Sequence, residues 1–132
     1  MADPILHLSL PVDDLAAARA FYEGVLGCRV GRVRDDWFDV WFYGLQLTLA
    51  LRPDEVRPPA DQGARHFGVA LTPEDFAAVA ARVEAAGTEW LAAPRRHDHA
   101  DLSGKTGGKL ADPAGNIIEL KSYADPEALR GG

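Results

Sequence analysis

Three short stretches of the chain alternate large apolar residues with polar or small ones, and each carries an ionisable side chain on its polar face. In Ile5-Leu6-His7-Leu8-Ser9-Leu10 the two-residue period of a strand sets Leu6, Leu8 and Leu10 on one side and His7 with Ser9 on the other. His66-Phe67-Gly68-Val69-Ala70-Leu71 repeats the arrangement, with Phe67, Val69 and Leu71 opposing His66, Gly68 and Ala70. In Asn116-Ile117-Ile118-Glu119-Leu120-Lys121, Glu119 and Lys121 lie opposite Ile118 and Leu120. The period changes to helical after the first two stretches. Leu15, Ala18, Tyr22, Val25 and Leu26 predict a helix from Asp14 to Leu26, capped by Asp13 and stopped by Gly27. Thr72 as cap, Pro73 at the first helical position and the stripe Phe76, Val79, Ala80, Val83 and Ala86 predict a second helix ending at Gly87.

The two halves correspond, because His7 precedes the Asp13 cap by the same interval that separates His66 from Thr72. Strand-like runs follow each helix: 29–33, 37–43 and 45–51 in the first half, 88–91, 106–111 and 116–123 in the second. Asp112-Pro113-Ala114-Gly115 is a turn. Residues 52–64, with Pro53, Pro58 and Pro59, read as a linker, 93–104 as a polar loop, and 124–132 as a short tail with one helical turn after Asp125. The expected fold is α+β: a single domain of two βαβββ modules, about 5–51 and 65–123. Each is a curled mixed sheet with one helix on its outer face, and together they form a cleft from the polar strand faces. His7, His66 and Glu119 would point into that cleft.

Composition narrows the setting more than the chemistry. A chain of 132 residues is long enough to bury its own core, and its 47% hydrophobic content includes no run long enough for a membrane span. Met1-Ala2-Asp3-Pro4 has neither a basic region nor an apolar signal core, and the single cysteine, Cys28, forms no intrachain disulfide, so a cytoplasmic location is expected. Net charge is -6 and the basic residues are scattered or in short pairs such as Arg95-Arg96, which argues against nucleic acid and anionic membranes as partners.

Two imidazoles and a carboxylate suit a divalent Fe, Mn, Ni, Co or Zn ion better than calcium, and they leave coordination positions open. Gln46, in the repeat near the place of Glu119, is a candidate fourth ligand through its amide oxygen. By alternation Trp37, Asp39, Trp41 and Tyr43 face away from the helix, opposite Phe38, Val40 and Phe42. Trp37 and Trp41 would then form a substrate wall with Ser9 and Thr48, and Tyr43 would stand within catalytic reach. A dimer interface or a second small core accounts for those aromatics equally well. Lys109 and Lys121 are candidate catalytic cations that would hold an anionic substrate or stabilise developing negative charge. His97 and His99 flank Asp98 in the polar loop, where His97 would contact substrate if the loop closes as a lid.

The run His7-Leu8-Ser9-Leu10-Pro11-Val12-Asp13-Asp14-Leu15 with Phe21-Tyr22 and Leu26-Gly27, then His66-Phe67-Gly68-Val69, then Asp112-Pro113-Ala114-Gly115-Asn116 leading to Glu119, resembles the vicinal oxygen chelate superfamily. That superfamily includes glyoxalase I, extradiol dioxygenases, fosfomycin-resistance transferases and bleomycin-resistance proteins, and the resemblance spans about 6–123. It implies paired βαβββ modules around a divalent metal held by His7, His66 and Glu119, which chelates substrate through two neighbouring oxygens. It also implies a homodimer whose sites are shared between chains. Departures separate the branches. Gln46 stands where glyoxalase I usually has a second glutamate; Lys105-Thr106-Gly107-Gly108-Lys109-Leu110 replaces the Ser/Tyr-rich strand of fosfomycin enzymes; and the supporting His and Tyr of extradiol dioxygenases have no clear match. The expected function is therefore a divalent-metal enzyme of glyoxalase or extradiol-dioxygenase type acting on a small molecule. The alternatives are a metal-free drug- or metabolite-binding protein, a fosfomycin-type thiol transferase, or an interaction domain with neither metal nor pocket.

Overall fold

A computed structural model describes residues 2–97 and 104–131. The chain forms two compact units: 1–63 together with 112–116, and 64–111 together with 117–132. In the first, strand β1 (His7–Val12) leads to helix α1 (Leu15–Arg19), and strands β2 (Arg29–Val33), β3 (Trp37–Phe42) and β4 (Leu45–Leu51) follow. In the second, β5 (Phe67–Leu71) leads to α2 (Pro73–Ala85), then β6 (Ala92–His97), β7 (Lys105–Ala111), β8 (Ile117–Ser122) and a short α3 (Pro126–Arg130). Each unit is βαβββ. The sheets are mixed and four-stranded, ordered β1-β4-β3-β2 and β5-β8-β7-β6, with the first strand of each unit parallel to the last.

Alternation along the strands decides what is buried. Phe38, Val40, Phe42, Leu47 and Leu49 are enclosed in unit one, and Leu110, Ile118 and Leu120 in unit two. Helix α2 adds Phe76, Val79 and Val83 to the second core; its first turn is closed by Thr72, whose hydroxyl oxygen accepts from the Asp75 amide at 3.2 Å. The unit-one helix departs from the sequence expectation. Its cap is Asp14, not Asp13: the Asp14 carboxylate accepts from the Ala17 amide at 3.0 Å. Five α-helical residues then pass into a π-helical segment (Ala20–Val25), where the Leu26 amide donates to the Phe21 carbonyl five residues back at 3.0 Å. The wider winding places the neighbours Phe21 and Tyr22 both inside, edge to face at 5.0 Å, where an α-helix would have turned one of them further out.

The other revisions concern strand limits. The third-from-last strand is Ala92–His97, not 88–91, because pairing with β7 (Arg95 opposite Gly107, Arg96 opposite Thr106) outweighs the higher β propensity of the Thr88 to Leu91 run. Residues 93–97 of the expected 93–104 loop are therefore sheet. Asp98, His99 and the rest of 98–103 lie outside the described residues. The linker holds two short 3-10 turns, Pro53–Glu55 and Pro59–Asp61. Among the described residues no helix is long and apolar enough to cross a membrane.

The Asp112 turn, sequentially between two strands of the second sheet, packs in the first unit. Asp112 is 4% exposed, and its carboxylate accepts from the Tyr22 hydroxyl (2.7 Å), the Asn116 side chain (2.9 Å) and the amides of Ala114 and Asn116 (both 2.9 Å). Asn116 also donates to the Pro11 carbonyl at 3.0 Å, and Gln62 donates to the carbonyls of Arg57 and Gly115 at 3.1 Å. Gly115 adopts φ 93°, and a Cβ there would collide with the Arg57 carbonyl, so a side chain is excluded on two counts.

Candidate functional site

The open face of the second sheet carries His66 and Glu119. They line one shallow pocket of about 200 Å³ with Gly68, Ala70 and Lys121. His66 stands just before β5, and its Nδ1 lies 2.9 Å from the Ala64 carbonyl. A carbonyl only accepts, so Nδ1 carries a proton, and in the neutral ring Nε2 is the nitrogen with the lone pair. Glu119 is opposite Gly68 on one side and Lys109 on the other, and Lys121 Nζ is 3.7 Å from its carboxylate. A Cβ at Gly68 would collide with the Glu119 backbone carbonyl, which is why glycine floors the pocket between the two candidate ligands.

On the first sheet His7 makes the same kind of bond, Nδ1 to the Gln46 carbonyl at 3.1 Å, which in the neutral ring again makes Nε2 the lone-pair nitrogen. Gln46 lies directly between His7 on β1 and Trp41 on β3. The ladders give each sheet its register: His7 is opposite Gln46, whereas Glu119 is opposite Gly68, two residues after His66. With the first helix capped by Asp14, His7 stands seven residues before its cap and His66 six before Thr72. His66 nevertheless shares the open face with Gly68 through the two-residue period.

Several expected substrate contacts are otherwise engaged. Tyr43 is not on the sheet face: with Gly44 it forms the two-residue turn between β3 and β4, at φ 49° and 87°, and is 46% exposed. The mirror-image turn requires both residues in left-handed conformation, which ends the alternation at Phe42. Asp39 is 1% exposed rather than part of an open wall; it accepts from the Thr48 hydroxyl and from Arg32 Nε, both at 2.6 Å. The Thr48 proton is thereby committed. Trp37 lies under two guanidinium groups, Arg32 at 5.0 Å and Arg34 at 5.6 Å from its ring centre, so it is a capped ring and not a bare surface. Trp41 is half-buried and covers Gly31. Ser9 is exposed beside a separate pocket of about 270 Å³ lined by Pro11, Arg52 and Glu55. His97 lies on β6 opposite Lys105.

Burial raises the pKa of Asp112 above its ordinary value, opposed in part by the four bonds from Asn116, Tyr22 and Ala114. Burial, then the Asp112 charge, raises the Tyr22 phenol well above its ordinary value, which keeps its proton in place to donate. Among the described residues, no group of three or more His, Cys, Asp or Glu side chains forms a metal-holding cluster.

A model of the glyoxalase/bleomycin resistance protein/dioxygenase superfamily matches residues 4–120. The chain belongs to this superfamily. It is 37% identical to the protein PA2024 of Pseudomonas aeruginosa over 96% of this chain and 92% of the relative. Among solved structures, a glyoxalase/bleomycin resistance protein/dioxygenase from Alicyclobacillus acidocaldarius superposes with TM-score 0.85 at 26% identity, covering 96% of both chains. The fosfomycin resistance protein FosX from Listeria monocytogenes shares the fold at TM-score 0.76 and 16% identity, over 97% of this chain and 99% of that one. These likenesses account for the paired βαβββ units of a superfamily member. They leave the reaction to the side chains.

Sequence reasoning passed over Asp39, whose lone charge within Trp37-Phe38-Asp39-Val40-Trp41-Phe42 was the available signal. It also passed over Arg95 and Lys105. Lys105 shares the period of Lys109, whereas Arg95 was hidden by reading its strand as a loop.

Proposed function

We propose that this superfamily member is a divalent-metal-dependent enzyme of glyoxalase or extradiol-dioxygenase type, acting on an oxygenated small molecule. The observation that carries the reading is the hydrogen bond that each of its two imidazoles makes to the main chain. His7 and His66 each spend Nδ1 on a main-chain carbonyl, which leaves Nε2 as the ligating nitrogen, the arrangement that orients a histidine ligand. Glu119, in the same pocket as His66, is the carboxylate of the set, and Gln46 beside His7 is the candidate fourth ligand. Two imidazoles and a carboxylate fit Fe, Mn, Co, Ni or Zn in the divalent state.

In this reading two copies pair, and His7 of one copy completes the set begun by His66 and Glu119 of the other. When bound, the cation supplies Lewis acidity that favours negative charge on neighbouring substrate oxygens. The chain's own residues do the remainder. The Ala64 carbonyl holds the His66 ring, Lys121 positions the Glu119 carboxylate, and Gly68 and Ala70 leave room for substrate over the strand. Lys109, opposite Glu119, offers a further cation to developing anionic charge. Tyr43, at the tip of its turn, has no part in this reading.

Protein purified without chelators should carry stoichiometric divalent metal by elemental analysis, and His66→Ala and Glu119→Gln should lose most of it. Wild type without metal, and without thermal stabilisation by Mn(II), Fe(II), Ni(II) or Zn(II), would overturn the reading.

A further inference from the structure

The open face of the second sheet is basic, although the chain as a whole is acidic at -6. Directly opposed residues on neighbouring strands share a face. The pairs Arg95 with Gly107, Gly107 with Lys121, and Lys109 with Glu119 therefore put Arg95, Lys109 and Lys121 on the face of Glu119. Lys105 joins them by the two-residue period. Contacts around Gly107 confirm the placement: a Cβ built there would lie 3.4 Å from Lys105 Cε and 3.6 Å from Lys121 Cβ. Gly107 is thus a gap framed by two lysine stems, level with the floor that Gly68 and Ala70 leave open beside Glu119. Four cations thus share one sheet face with one carboxylate. Among the described residues Lys121 alone of the four has an ion-pair partner, Glu119 at 3.7 Å.

We infer that the substrate of this pocket is an anion, a small molecule bearing a carboxylate or phosphate-type group that Lys105, Lys109 and Lys121 hold across the Gly107 gap. The inference rests on the reading of the His66 and Glu119 pocket as the substrate site, and it adds the substrate's charge. Four like charges on one face repel one another, so the arrangement costs stability unless an anion offsets it. The carboxylate of Glu119 neutralises only one of them. A lysine at each of three strand positions suits a charged group without demanding the fixed fork that arginine provides. A cationic ligand meets the wrong sign on this face.

The test titrates inorganic phosphate into metal-loaded and metal-stripped wild-type protein by calorimetry at constant ionic strength, with elemental analysis of each sample. Lys121→Met and Lys109→Met keep the apolar stems and should each weaken phosphate about tenfold, and the double variant more. Lys109→Arg, which keeps the charge, should bind nearly as wild type, and Arg130→Ala, an equal charge loss on the exposed α3, should change nothing. Lysine-dependent phosphate binding supports the inference whether or not metal is found; if metal is absent, only the metal reading falls. Stoichiometric metal with phosphate binding that is undetectable, or equally strong in all variants, or lost as much in Arg130→Ala as in Lys121→Met, overturns the anion inference and leaves the metal reading standing.

Discussion

Tyr22 and Asp112 show how much one side chain decides in unit one. The Tyr22 hydroxyl is one of four donors to a carboxylate that is otherwise sealed from water. Tyr22→Phe should cost about 1–3 kcal/mol in denaturant unfolding near neutral pH, because a buried acceptor loses a donor and water does not replace it. The pH dependence has a definite sign. Asp112 titrates above its ordinary value in the folded protein, so the folded state holds this proton more tightly than the unfolded chain. The contribution of the group to stability is thus greatest below the ordinary carboxylate pKa and declines as pH rises through the raised one. Removing a donor to the charged form raises that pKa further. The gap between Tyr22→Phe and wild type should therefore be smaller at about pH 4 than at neutrality; a larger gap in acid would contradict the assignment of Asp112 as the buried charge. That Asp112-Pro113-Ala114-Gly115 is a turn was legible from proline and glycine. That its aspartate seats in the unit of Tyr22, ninety residues away in the chain, was not, since no local pattern encodes a partner at that separation.

At the scale of elements, alternation was a reliable guide wherever a strand had one buried face. Strands β2 and β4 have the limits that the apolar period implies, and β8 departs from them only by its end residues. It failed where backbone geometry intervened: at the Tyr43-Gly44 turn, at the π-helical segment after α1, and in β6, whose sequence Ala-Ala-Pro-Arg-Arg-His has little strand propensity and depends on β7 for its hydrogen bonds. The parallel pair β5 and β8 carries the candidate site, and its close approach depends on Gly68. Gly68→Ala should force the two backbones apart. The expected result is destabilisation by about 2 kcal/mol or more with weakened metal retention, measured by thermal unfolding and elemental analysis on the same sample. Unchanged values for both would mean that the strands separate there at little cost.

For the molecule as a whole, the proposed sharing of sites between two copies makes a prediction that no single variant can. His7→Ala and His66→Ala should each fail to retain metal alone. Unfolded together and refolded, they should recover about a quarter of the wild-type sites, because random pairing makes half of the dimers mixed and each mixed dimer holds one intact set. No recovery would place all three ligands in one chain or remove His7 from the set. Patterning by itself determined the two βαβββ units, the buried face of α2, and the presence of His7, Glu119 and Lys121 on polar strand faces, because a period of two or 3.6 is written in consecutive residues. Only the tertiary structure decided that Gln46 is the neighbour of His7 and Gly68 that of Glu119, that Asp39 and Thr48 satisfy each other, and that Arg95, Lys105, Lys109 and Lys121 share one face with Glu119. Those facts depend on strand register and on contacts between residues far apart in the chain, which are settled by the joint packing of whole strands and not by any neighbour in sequence.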